Sequence, residues 1–71
     1  MLAATPADWA NILRDRRLDL GMTQAVLAEQ VGMSRQWVVR FEGGHAGVAT
    51  IDHLTRLVEA LGLDVEVLAI A

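Results

Sequence analysis

The sequence has no cysteine, so neither a disulfide nor a thiolate zinc site can hold it together. It has no lysine either: every cation is an arginine, at positions 14, 16, 17, 35, 40 and 56. Histidine is scarce, and His45 and His53 lie too far apart in sequence for a helical pair of metal ligands. Neither sits near a serine in a credible nucleophile–base arrangement, and a chain of 71 residues is short for a deep pocket, so no enzyme, metal or cofactor is expected. No apolar run approaches the ~18 residues of a membrane span. The N-terminus lacks the basic start and apolar core of a secretory signal. These absences point to a soluble, cytoplasmic protein with no membrane partner. The stretch Gly43-Gly44-His45-Ala46-Gly47 is rich in glycine, but no lysine and no strand accompanies it, which argues against a nucleotide-phosphate loop.

What is present is one domain over residues 1–71. Chains of this size bury only about 60% of the surface exposed when unfolded. With disulfides and metals excluded, association between copies is the remaining source of stability. The formal net charge of −3 argues weakly against a polyanionic partner. Its distribution argues the other way. Residues 10–42 carry five of the arginines against Asp15, Asp19, Glu29 and Glu42, whereas residues 43–71 carry Arg56 against Asp52, Glu59, Asp64 and Glu66. The acidity lies in the last third.

Four helices are read from apolar periodicity and end signals. The first runs from Pro6 to Leu20, with Thr5 as N-cap, Asp8 in capping-box position and Gly21 as the stop. Trp9, Ile12, Leu13 and Leu20 form its stripe. Arg17 falls on that stripe. A buried charge needs a partner, and Glu42 is the candidate; the alternative is that Arg17 snorkels to solvent. The second helix opens at Thr23 and buries Leu27, Ala28 and Val31 before Gly32. The third is capped by Ser34, with Met33 and Val38 placed as a hydrophobic staple and Trp37, Val38 and Phe41 facing inward. The fourth opens at Thr50, presents Ile51, Leu54, Leu57, Val58 and Leu61, and stops at Gly62.

Residues 23–42 combine a small Ala28 on the inner face, a turn glycine and an apolar shared core. That set fits two helices crossing steeply and closely, the DNA-binding helix-turn-helix. At about 100° per residue, Arg35, Gln36, Val39 and Arg40 point outward from the third helix. Arginine can pair with guanine, glutamine with adenine, and valine can touch a thymine methyl; the plain alternative is a solvated polar face. Gln24 and Ser34 stand at helix starts, where backbone N–H groups favour a phosphate, and simple capping is compatible with that role. Trp37 fits either the core or a phosphate contact at the rim.

The strings RDRRLDLGMTQAVLAEQVGMSRQWVVRFEGG and LTRLVEALGLDVEV resemble the Xre family of prokaryotic helix-turn-helix proteins over Ile12 to Leu63. The resemblance implies a mainly α, four-helix, lambda-repressor-like DNA-binding domain. It implies an ion pair between Arg17 and Glu42, groove reading by Arg35, Gln36 and Arg40, and phosphate contacts at Gln24 and Ser34. Two positions depart from the family pattern: Val26 stands where an acid is common, and His45 where a basic residue is common. Within the family, SRQW and EALGLDVEV are similar to HipB-type antitoxins. That similarity implies a homodimeric repressor of its own operon and a HipA-like serine/threonine kinase toxin as partner. A free-standing Xre-type regulator and a protein-interaction module without DNA binding are the alternatives.

Residues 63–70 read as a strand: Leu63, Val65 and Val67 alternate with Asp64 and Glu66, Leu68 and Ile70 continue apolar on the other face, and the segment is rich in β-branched side chains. No second strand is legible, and a lone strand cannot satisfy its own backbone groups. Pairing with the same strand of a second copy about a two-fold axis solves this. Leu63, Val65, Val67, Leu68 and Ile70 are then dimerisation residues; a disordered or helical tail is the alternative. Two recognition helices in a dimer imply a palindromic double-stranded operator.

Overall fold

The computed structural model describes residues 5–64, which form four α-helices: α1 (Pro6–Asp19), α2 (Gln24–Val31), α3 (Arg35–Arg40) and α4 (Ile51–Ala60). Each begins on a hydroxyl that takes up an unpaired backbone donor of the first turn. Thr5 Oγ1 accepts from Asp8 N–H while Asp8 Oδ2 accepts from Thr5 N–H, completing the capping box. Thr23 accepts from Val26 N–H and Ser34 from Trp37 N–H. Thr50 accepts from His53 N–H, and here an imidazole completes the box: His53 Nδ1 accepts from Thr50 N–H at 3.1 Å.

Three helix ends share one chemistry. After α1, α2 and α4 the chain turns on Gly21, Gly32 or Gly62, and the next residue's N–H returns to a carbonyl five positions back: Met22 to Arg17, Met33 to Ala28, Leu63 to Val58. That next residue is apolar each time and packs on the core. Gly32 lies at φ 71°, a left-handed conformation that suits glycine, and it sets the sharp turn from α2 into α3.

The core is built from all four helices: Ala10 and Leu13 of α1, Leu27, Ala28 and Val31 of α2, Val38 of α3, and Leu57 and Val58 of α4. Phe41, Ala46 and Leu61 complete it from the connections. Helix α2 packs on α3 and α4, while α1 packs on the turns that follow α3. Those turns depart from the simple loop expected over 43–47. Helix α3 runs on into a wider π-type turn, Phe41–His45, broken at Gly44 (φ 109°), and then a single 3₁₀ turn, Ala46–Val48. The backbone bends so that Ala46 is buried within a segment that reads as surface. Two apolar-stripe residues are instead exposed. Ile51, first residue of α4, is 80% exposed, and Leu20 lies past the end of α1 where the stripe no longer faces the core. The expected strand lies outside the described residues except for Leu63, which is half-buried against the core of its own chain, and Asp64, which is exposed.

Candidate nucleic-acid interface

Arg17 is buried at the end of α1, and so is Glu42, one turn beyond α3. They meet in a two-pronged pair: Arg17 Nε donates to Glu42 Oε2 at 2.7 Å and Nη2 to Oε1 at 2.9 Å. The third nitrogen, Nη1, donates to the Met22 carbonyl at 2.8 Å. Every guanidinium nitrogen therefore has a partner, which is the condition under which a buried ion pair is tolerated. Snorkelling is excluded. The pair locks the end of α1 to the end of the third helical segment and so fixes how α3 is presented.

Helix α3 presents two faces. Val38 is buried, and Phe41 follows it into the core. Arg35, Gln36, Val39 and Arg40 are all exposed on the other side. The arginines sort cleanly. Arg14 pairs with Asp15, Arg16 donates to the Leu61 carbonyl at the end of α4, Arg17 pairs with Glu42, and Arg56 pairs with Asp52 at 3.0 Å. Arg35 and Arg40 make no ion pair or side-chain hydrogen bond among the described residues. The two cations left uncommitted by the fold thus share the outer face of one short helix, with Gln36 beside them.

An open groove of about 600 Å³ adjoins this face; Arg17, Thr23, Gln24, Ala25 and Arg35 help line it. It brings the start of α2 beside the start of α3. Gln24 is half-buried there, and its Nε2 donates to Glu42 Oε1 at 3.2 Å. Ser34 is exposed and caps α3. Trp37 is half-buried. Its ring stacks on Phe41 (centroids 5.4 Å apart) and meets the edge of His53 at 4.8 Å. The ring thus packs against the core, while its indole N–H has no partner among the described residues.

A family model described as a helix-turn-helix domain matches residues 10–69. The chain belongs to that family. An uncharacterized HTH-type transcriptional regulator of Methanothermobacter thermautotrophicus is 39% identical over 52 residues, 73% of this chain and 74% of the relative. The fold is similar to that of a solved complex of a HipB variant with an O2 20mer. The TM-score is 0.83 at 23% identity, over 97% of this chain and 94% of the other. The protein is accordingly an Xre-like helix-turn-helix protein with a HipB-like fold. No described helix is long and apolar enough to cross a membrane.

Three features of this helix-turn-helix escape a reading of the sequence. The bond from Gln24 to Glu42 joins positions 18 residues apart, and no local pattern signals it. The capping role of His53 is hidden because that position in a capping box normally carries Glu or Gln. The Trp37–His53 contact links α3 to α4 through residues that look unrelated in sequence.

Proposed function

We propose that this protein represses transcription as a homodimer on a palindromic double-stranded operator. Arg35, Gln36, Val39 and Arg40 read base edges in the major groove, and Gln24, Ser34 and Trp37 contact phosphates. The supporting observation is the pairing census of the arginines: among the described residues four of them have a partner, while Arg35 and Arg40, both exposed on α3, have none. A structural face would gain little from holding two unpaired cations on one short helix, whereas a groove-reading helix needs them.

Dimerisation is assigned to the strand pattern of residues 63–70, through Leu63, Val65, Val67, Leu68 and Ile70. The HipB-like fold over nearly the whole chain favours the antitoxin class, with autoregulation of its own operon and a HipA-like serine/threonine kinase toxin as second partner. The relative from Methanothermobacter, described as a transcriptional regulator, favours a free-standing regulator as the second reading. Footprinting on the chain's own promoter, with and without the product of the neighbouring gene, separates them. Protection of a palindrome that is altered by a kinase-like neighbour supports the antitoxin. Protection indifferent to the neighbour supports the free-standing regulator, and no protection at low salt rejects both.

A further inference from the structure

The buried pair of Arg17 and Glu42 has a third member, and that member lines the groove. Glu42 Oε2 accepts from Arg17 Nε, while Oε1 accepts from both Arg17 Nη2 and Gln24 Nε2. Gln24 also lines the groove beside Thr23, Ala25 and Arg35. A carboxylate only accepts hydrogen bonds, and an amide has two unlike ends. Were the Gln24 amide to flip, its carbonyl oxygen would face a buried carboxylate oxygen at hydrogen-bond distance, lone pair against negative charge. The contact therefore fixes which end of the amide is which. One Nε2–H is committed to Glu42. The second Nε2–H and the carbonyl oxygen keep a defined orientation, and the donor is the end a phosphate oxygen requires.

We infer that Glu42 is a positioning residue for DNA binding: held by Arg17, it locks the Gln24 amide so that a fixed N–H is offered to the DNA backbone. The inference rests on the reading that Gln24 contacts a phosphate. Glu42 itself is buried and reaches no ligand; it acts through Gln24. The same carboxylate that anchors the end of the third helical segment to α1 thereby aligns the start of α2. Both sides of the motif are aimed by one group before DNA arrives, which reduces the ordering cost of binding.

Two experiments on the full chain test this. In ¹⁵N relaxation without DNA, the Gln24 side-chain amide shows heteronuclear NOE values close to those of the α2 backbone, well above those of the exposed Gln30 and Gln36. A Gln24 amide as mobile as those two overturns the lock. The second is a double-mutant cycle with Gln24→Met and Glu42→Gln, read by anisotropy on the promoter duplex. Gln24→Met weakens binding about tenfold in the wild-type background, with base preference nearly unchanged. In the Glu42→Gln background, where the amide is free to flip, the same change costs much less. An equal loss in both backgrounds shows that Glu42 acts only on the fold and overturns the positioning role. If Glu42→Gln does not fold, the relaxation measurement on wild type decides alone. A rigid amide in a chain that binds no duplex overturns the role together with the DNA reading, whereas a mobile amide in a chain that binds overturns the role alone.

Discussion

Among single side chains, the contrast between Arg17 and Arg14 separates the arginines that build the fold from those the fold can lose. Removing one partner of the buried pair strands the other charge away from water, so Arg17→Ala or Glu42→Ala destabilises by about 3–5 kcal/mol. The exposed contact of Arg14 with Asp15, at 3.4 Å, contributes at most about 1 kcal/mol. Urea denaturation checks this, and equal midpoints for Arg14→Ala and Arg17→Ala would contradict it. Arg35→Ala and Arg40→Ala behave in the opposite way. With no partner to lose among the described residues, they leave the unfolding midpoint nearly unchanged but cost about 1–3 kcal/mol in operator affinity and relax base preference. The Arg17–Glu42 pair is legible in the sequence because a charge on an apolar stripe demands a partner. The Gln24–Glu42 bond is not, because a glutamine at a helix start is equally at home in water.

At the scale of helices and turns, the sequence carries its start and stop signals openly: a hydroxyl before each helix, and glycine followed by an apolar residue after three of them. Gly32 tests the stop signal. It sits at φ 71° with no atom within 4 Å of an added Cβ, so Gly32→Ala meets no neighbour and pays only the left-handed backbone cost, about 1–2 kcal/mol. Gly43 has the same open surroundings without a positive φ, and Gly43→Ala is nearly neutral. Thermal melts of the two variants check the difference, and matching melts would refute it. Ala28 tests the close crossing of α2 and α3. It is 3% exposed, and Ala28→Leu overpacks that contact by about 1–3 kcal/mol in chemical denaturation. The sequence is less legible between elements. The glycine-rich connection reads as surface loop because its composition is that of one, yet its bends carry Ala46 into the core. Ile51 reads as core because its spacing matches the stripe of α4, yet its place in the first turn leaves it beyond the reach of the packing.

For the whole molecule, the proposed dimer depends on the strand pattern of residues 63–70. Truncation after Leu63 should leave a folded monomer that binds a single half-site weakly. Sedimentation equilibrium measures this, and a truncated chain that remains dimeric would show that another surface pairs the copies. In the intact dimer the two α3 helices meet half-sites roughly 34–36 Å apart, so lengthening the operator spacer by half a helical turn abolishes cooperative binding. The net charge of −3 does not oppose this, because residues 43–71 carry four acids against one arginine, whereas residues 10–42 carry five arginines against four acids. The most direct measurement of the central claim is a salt titration of binding to the chain's own promoter duplex, with wild type and the Arg35→Ala, Arg40→Ala double variant side by side. The account predicts that wild-type affinity falls linearly with the logarithm of salt concentration as phosphate contacts are screened, and that the double variant binds far more weakly with a shallower slope. Wild-type and variant curves that coincide would contradict it.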